Sequence, residues 1–577
     1  MKNALLEIFC EHLPARFLIP ALNQMKDLAA RFLNERNLKF DSLRVYGTFR
    51  RLVLEIDGLA AKAEDIEKEI KGPPAKLLKD FAGNYTPQAS GFAEKNGLKP
   101  QQLTIIETEK GPFIYAEIKI KGLPAEKILP EIFTEIIKNL TFPKSMRWEI
   151  SGFKFARPVR GLIGLYGNKI LRFEIAGVKS GRNTYPISSF GKKPIKIISP
   201  ESYIETLRNQ PQPILSDIEE RKRTLINAVN SASSKLGYKA DLDEDLVTES
   251  VSFTEHPVVL AGDMDIKFLT LPKELVTTAL KKQLKMFPVL DEKGILQPHF
   301  IALRDGVSVN SEEVRTGFKN VMTARLTDAI FFFGNDIKAG INAMKEKLAL
   351  VNFIDGMGNM LQKTERVESL AAFFAEKLNL TRQTRQDIQK AASFCYADLT
   401  SSVVYEFPEL QGYMGCVYAQ KAGFKEEVCK AMGEFYMPLT ASSRLPQTLE
   451  GAILSLAGKI DTLAANFAAG QIPTGSEDPF ALRRQAMGAV RIILDKKLNI
   501  TLREIIDAAS AELPPVESSQ IGRLYDFIWQ RFANILEGEA FEQDEIAAIE
   551  NLNNKTLCET YTIIKALRIA RKDGMLA

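Results

Sequence analysis

The sequence predicts a multidomain α+β chain in which N-terminal mixed α/β domains give way to an all-helical part. Three observations carry this. The chain has 577 residues, too many for one core and enough for roughly three to five domains. Phe113 to Lys121 alternates apolar and polar residues with the period of a strand, and from about residue 336 the apolar spacing is helical with short polar breaks.

Within residues 1–180, a mixed α/β domain, Pro20 to Phe32 reads as helix and Leu52, Leu54 and Ile56 as a half-buried strand. Gly72-Pro73-Pro74 and Thr86 to Gly91 are expected loops. In the 113–121 strand, Ile114, Ala116, Ile118 and Ile120 share one face, with Tyr115, Glu117, Lys119 and Lys121 opposite, as in an antiparallel sheet with one wet side. Leu162 to Phe173 reads as two strands joined at Gly167-Asn168. Residues 181–335 form a second α/β domain. There Ile214 to Leu236 is helical and rich in Arg221, Lys222 and Arg223, while Val258-Val259-Leu260 and His299 to Leu303 are short buried strands. Residues 336–500 read as an all-α module that includes the alanine-rich run Ala452 to Ala469, and 501–577 is again helical.

In the run Pro473 to Gln485 a polar loop turns into a helix, with Asp478 expected as the N-cap and Pro479 at the first helical position. At about 100° per residue, Leu482, Ala486, Ala489, Val490 and Ile493 make one apolar face. Arg484 and Arg491 fall opposite and Arg483 on the shoulder. A solvated charged face is the plain reading of that side.

Hydrophobic content of 45% and charged content of 26% are those of an ordinary globular protein. No stretch approaches the ~20 apolar residues of a membrane span. The N-terminal apolar patch is broken by Glu7 and Glu11, unlike a secretory signal. Five scattered cysteines without a CxxC pair argue against a zinc site or a disulfide framework and for a reducing cytoplasm. The net charge of +4 is too small to hold a polyanion globally, so nucleic-acid contact has to come from local patches. Three histidines, His12, His256 and His299, leave little material for acid/base or metal chemistry, and the latter two read as packing or turn residues.

There is no GxxxxGK[ST] phosphate loop, and Asp355-Gly356-Met357-Gly358-Asn359-Met360 reads as a helix-initiating turn. No HIGH, KMSKS or class II arginine motif marks an adenylation site. The candidates for chemistry are basic clusters: Arg50-Arg51, Lys144 with Arg147-Trp148, Arg157 with Arg160, and Arg483-Arg484. Cations on ordered elements suit phosphates, and neighbouring aromatics suit unpaired bases. The competing reading is internal ion pairing, since 72 acidic residues face 76 basic ones.

Several of these runs also resemble one family. They are Leu6 to Phe17, Gly47-Thr48-Phe49-Arg50-Arg51-Leu52, Lys71-Gly72-Pro73-Pro74, Phe142 to Trp148, Phe155 to Arg160, Asn320 to Ala329, Ala397 to Gly415, and Pro473 to Gln485. In this order they are similar to the beta subunit of the bacterial two-subunit glycyl-tRNA synthetase. Departures are Phe9-Cys10 for a Gly-Thr pair, His12 for Glu, and Phe49 for Pro. The resemblance implies a tRNA(Gly)-binding subunit with no catalytic residue of its own, paired with a class II alpha subunit in an α2β2 cytoplasmic ligase. It would bind no cofactor or metal; ATP and Mg would be used by the alpha subunit.

It further implies an HD-like helical module over 336–500 with a degenerate metal site. There Ala397-Asp398 stands for His-Asp, and Glu434-Phe435-Tyr436 for a histidine-containing triplet. A helical anticodon-binding domain would begin at 501, with 577 falling part-way through it, in a fragment or a naturally short version. The basic clusters then become tRNA-binding candidates. The alternative is a stand-alone HD-type metal phosphohydrolase or a nucleic-acid-binding scaffold.

Overall fold

Strand β1 (Lys2–Cys10) is apolar from Ala4 to Cys10 except for Glu7, because both its faces are buried over that stretch. A computed structural model describes residues 1–577 except 81–82, 110, 188–192, 307, 475–476, 515–517, 551, 553 and 574–577, with 66, 120, 518 and 519 described at the backbone. Two compact units result: Met1–Met264 with Leu284–Lys319, and Asp265–Gln283 with Asn320–Ala577.

In the first unit, β1 is followed by α1 (Ala15–Glu35), β2 (Ser42–Thr48) and β3 (Arg51–Leu59). Next come β4 (Ile66–Pro74), α2 (Pro87–Lys95), β5 (Leu103–Thr108), β6 (Gly111–Ile120) and α3 (Ala125–Asn139). β7 (Val159–Tyr166), β8 (Lys169–Ile170), β9 (Glu174–Ile175) and β10 (Val178–Gly181) complete a seven-stranded sheet of order β2-β3-β1-β7-β10-β9, with β8 beside β7. β1 runs antiparallel to both β3 and β7. Leu6, Ile8, Leu52, Leu54 and Ile56 meet α1 and α3 on one face. Leu5, Val53, Ile163 and Leu165 meet Tyr203 and Leu207 on the other. The Leu52–Leu54–Ile56 strand is therefore buried on both sides rather than half-buried, because β3 lies inside a covered sheet.

The 113–121 alternation holds in a separate three-stranded sheet, β4-β6-β5, where Ile114 and Ala116 pack on Ala89 and Ala93 of α2. Both loops expected nearby are ordered elements instead. Gly72-Pro73-Pro74 ends β4, and Pro87 opens α2 behind Thr86, whose hydroxyl accepts from the Ala89 N–H. A Cβ at Gly72 would lie 2.5 Å from the Phe92 ring, so glycine is what lets sheet and helix close. The expected hairpin at Gly167-Asn168 is present, with Gly167 at φ 52°.

The short pair β11 (Asn183–Thr184) and β12 (Ile195–Lys196) and helix α4 (Tyr203–Arg208) lead to α5 (Ile218–Lys235), β13 (Lys239–Ala240), α6 (Glu244–Ser252), β14 (Pro257–Asp263), β15 (Phe287–Leu290) and β16 (Leu296–Asp305). The last four strands form a sheet of order β13-β15-β16-β14 under α5 and α6.

The second unit is helical. It contains α7 (Lys273–Thr278), most of α8 (Ser311–Lys347), which breaks at Gly340 (φ 76°), and α9 (Met360–Lys377). The turn before α9 contains Gly356 and Gly358 at positive φ and initiates the helix as the sequence suggests, with Asn359 as its cap. Then follow α10 (Arg382–Ala392), α11 (Ser402–Glu406), α12 (Tyr413–Lys421), α13 (Glu426–Glu434) and α14 (Leu449–Ala468). α15 (Leu482–Asp495), α16 (Leu502–Ala511), α17 (Ser518–Gly538), α18 (Gln543–Ile549) and α19 (Leu557–Lys572) complete it. α14 is buried on almost every side, which its alanines and glycines permit.

Candidate nucleic-acid interface

One end of the seven-stranded sheet gathers several of the basic candidates. The Cys10 N–H donates to the Arg50 carbonyl at 2.9 Å and the Glu11 N–H to the Pro158 carbonyl at 3.0 Å. The end of β1, the β2–β3 turn and the start of β7 thus form one rim holding Arg50, Arg157 and Arg160.

These side chains are unequally available. Arg160 is exposed and pairs with Glu11 at 2.8 Å; at 60% and 44% side-chain exposure that pair is weak and readily exchanged for a phosphate. Arg157 is half-buried and donates to its neighbour's carbonyl, that of Ala156, at 2.9 Å. Arg50 is half-buried over the Phe9 ring, 4.6 Å from its centroid. Burial holds its guanidinium below the usual arginine range, and Glu11 partly offsets this.

Arg51 corrects the expectation. It is 0% exposed, ion-paired with Glu255 and hydrogen-bonded to the Tyr185 carbonyl. Glu255 also accepts from the Thr48 hydroxyl at 2.7 Å, while the buried Glu7 accepts from Tyr203 at 2.6 Å and from Thr184. Burial raises the Glu7 carboxyl above its ordinary range, opposed first by the charge of Arg51. An arginine spent in this network offers nothing to an RNA phosphate. Arg221, read only as part of a basic helix, is likewise internal: it donates to the carbonyls of Leu215, Val251 and Gly47 and stands 0% exposed.

Lys144 and Arg147 are exposed and make no ion pair among the described residues. Arg147 sits inside, and Lys144 two residues before, a loop closed by the Met146–Phe155 bridge, with N–H···O distances of 2.9 and 3.3 Å. The aromatics beside them face inward. Trp148 packs edge-on to Phe153, Phe153 stacks on Phe155, and Phe142 meets Phe155. They brace the loop rather than offer a stacking platform, because burying their rings outweighs exposing them.

In the helical unit the expected apolar face is present, with Leu482, Ala486, Ala489, Val490 and Ile493 all 0% exposed. The helix starts three residues later than expected. Ala481 is left-handed (φ 53°), so Pro479 and Phe480 form a turn and α15 begins at Leu482. Asp478 still caps it from a distance, accepting from the Leu482 and Arg483 N–H groups at 2.8 and 3.0 Å. Gly475 and Ser476 of the preceding loop lie outside the described residues. Arg484 is exposed and Arg483 half-buried. Arg491 is not a solvated charge, since it donates to the carbonyls of Ala441 and Ser443 at 2.8 and 3.0 Å. Arg531 of α17 is a neighbour that sequence reasoning missed. Burial lowers its pKa first and the charge of Arg483 next, so the two guanidiniums are close. No periodicity within either helix announces a pairing made between helices.

Among the described residues no group of three or more His, Cys, Asp or Glu converges as metal ligands. Asp398 is 1% exposed and spends one oxygen on the Gly412 and Gly415 N–H groups at 2.7 and 3.1 Å. Burial pushes its carboxyl up to about 6. Glu434 caps α14 by accepting from Gln447 and Thr448. His299 is 2.8 Å from Asp263 and His12 packs edge-on to Phe49. All five cysteines are free thiols. No helix among the described residues is long and apolar enough to cross a membrane.

Residues 4–551 match the family model described as glycyl-tRNA synthetase beta subunit, which sets the chain among aminoacyl-tRNA synthetase subunits. The glycine–tRNA ligase beta subunit of Halalkalibacterium halodurans is 38% identical over 554 residues, covering 95% of this chain and 79% of the relative. Those of Clostridioides difficile and Bacillus subtilis are 37% and 35% identical, with 95% of this chain and 80% and 79% of theirs covered. The chain belongs to the glycyl-tRNA synthetase beta subunit family.

Proposed function

We propose that this chain is the non-adenylating subunit of a glycine–tRNA ligase, binding tRNA(Gly) and supporting an alpha subunit that joins glycine to it with ATP. The observation that carries this is the family match from residue 4 to residue 551. The lack of any adenylation motif supports it, since the activating chemistry then belongs to a partner. The partner is an alpha subunit in an α2β2 assembly, acting in the cytoplasm, with ATP and Mg used by that subunit and no cofactor held here.

Lys144, Arg147, Arg160 and Arg484 are the phosphate contacts this reading favours, since they are exposed and at most loosely paired. Arg50, Arg157 and Arg483 stand behind them as half-buried members of the same two surfaces. In this reading the helical region from 336 to 500 is HD-like in ancestry but structural in use, and 501–577 opens an anticodon-binding-type region. Asp398 supports the structural use, its accepting oxygen being committed to two backbone N–H groups. Nothing observed favours the hydrolase alternative.

The test is reconstitution. Purified chain alone should give neither glycine-dependent ATP–pyrophosphate exchange nor charging of tRNA(Gly), and addition of an alpha subunit should produce both. Robust exchange by the chain alone would overturn the assignment, as would a mixture that never charges.

A further inference from the structure

A cavity of about 270 Å³ opens between α9, α13, α14 and α15 in the helical unit. Lys363, Lys459, Tyr436, Ser455, Thr462 and Gln485 supply polar groups to its wall, and no carboxylate lines it. One of the two lysines is neutralised nearby. Lys363 Nζ lies 2.6 Å from Asp461 Oδ2, a carboxylate that also receives Arg366 at 2.6 Å.

Lys459 has no such partner. It is 5% exposed, makes no ion pair among the described residues, and its hydrogen bond to the Tyr436 carbonyl is long at 3.4 Å. Its stem passes over Gly488 of α15, where a Cβ would come within 3.0 Å of Lys459 Cε. The missing side chain is therefore what lets the lysine lie between α14 and α15. Arg484, one turn earlier on α15, adds positive charge rather than relieving it. Burial first and Arg484 second hold the Lys459 ammonium down at about 8. The Tyr436 hydroxyl, also on this wall, is buried with no hydrogen-bond partner.

An unpaired buried ammonium and an unpaired buried hydroxyl are both costly, and one anion placed between them satisfies both. The remaining choice concerns which anion. Donors supplied by two helices, α14 and α15, and by the turn after α13 suit an acceptor with several oxygens and more than one negative charge, rather than a monatomic ion.

We propose that this cavity is a binding site for a phosphate group, with Lys459 as its charge anchor and Tyr436 and Gln485 as flanking donors. The phosphate is either free, as inorganic phosphate or a mononucleotide, or the terminal phosphate of an RNA. The proposal does not depend on the ligase reading.

The test uses the full chain and inorganic phosphate, titrated by calorimetry and followed by melting temperature at constant ionic strength. Wild type should bind, with a melting temperature that climbs with phosphate concentration. Lys459→Met, shown folded by circular dichroism, should bind at least about tenfold more weakly. Gln485→Glu keeps the lysine and gives it an internal carboxylate; this variant should melt no lower than wild type yet lose the phosphate response. AMP, and a 5′-phosphorylated oligoribonucleotide beside its 5′-hydroxyl twin, separate the sources. Lys459-dependent binding of AMP with equal binding of the two oligonucleotides assigns a free nucleotide. A Lys459-dependent preference for the phosphorylated twin assigns an RNA end. No phosphate response in wild type, or equal responses in wild type and both variants, would overturn the proposal.

Discussion

Replacing Arg51 by methionine should lower the melting temperature of the first unit and leave the charge count of tRNA binding unchanged. The guanidinium is 0% exposed, with Glu255 and the Tyr185 carbonyl as its partners and the Phe9 ring 5.0 Å away. Methionine keeps much of the stem volume but leaves Glu255 buried with only the Thr48 hydroxyl, one carboxylate oxygen already being unpartnered. It also takes from Glu7 the charge that most opposes its desolvation. Removing one partner of a buried pair costs about 3–5 kcal/mol, because the other charge stays behind. For a unit of this size that corresponds to roughly 5–8 °C in melting temperature. Arg51→Met with Glu255→Met should recover part of the loss, since both ends of the pair are then apolar. The assay is a pair of melting curves beside tRNA affinity measured at several salt concentrations. A variant that melts like wild type but loses about one charge equivalent from its salt slope would refute the reasoning and return Arg51 to the RNA surface.

The complementary change, Arg483→Ala with Arg484→Ala, should reduce the salt slope of tRNA binding by roughly one charge equivalent for each arginine that engages a phosphate. Stability should barely move for the exposed Arg484 and fall slightly for the half-buried Arg483; an unchanged slope with a large melting loss would assign both to internal packing. For Asp398, whose carboxyl is raised from 3.8 to about 6, the fold favours the neutral form. Its contribution is therefore complete below about pH 4 and is lost as pH rises through about 6. Asp398→Asn cannot ionise, so the stability difference between variant and wild type should move in favour of asparagine by up to ~3 kcal/mol over that window. Melting curves of both proteins from pH 4 to 7 check this, and a pH-independent difference would count against a desolvated carboxyl.

Much of the architecture could be read from residue spacing. The alternation at 113–121 identifies β6, the period of 3.6 assigns Leu482, Ala486, Ala489, Val490 and Ile493 to the buried face of α15 but leaves out the equally buried Gly488 and Ile492, and Gly167-Asn168 marks a real hairpin turn. These are local properties: the backbone period sets which side chains share a face, whatever lies opposite. The failures share a different character. Proline and glycine at 72–74 suggest a loop, yet strand β6 and the Phe92 ring hold that stretch as an edge strand. Asp478 was readable as a cap, but not the left-handed Ala481 that delays the helix.

The same division explains the candidate interface. Composition and motif order suffice to establish an α+β chain, its family resemblance and a short list of arginines and lysines that could meet RNA. They cannot separate Arg50 from Arg51, two identical residues adjacent in a turn. Strand pairing does so, placing Arg50 in the turn and Arg51 as the first residue of β3, with its side chain directed inward. The carboxylate that receives it, Glu255, lies 204 residues further along the chain. No local pattern encodes that distance. A charged side chain is structural or functional according to what the fold brings against it, and desolvation makes the outcome depend on that partner more than on the residue itself.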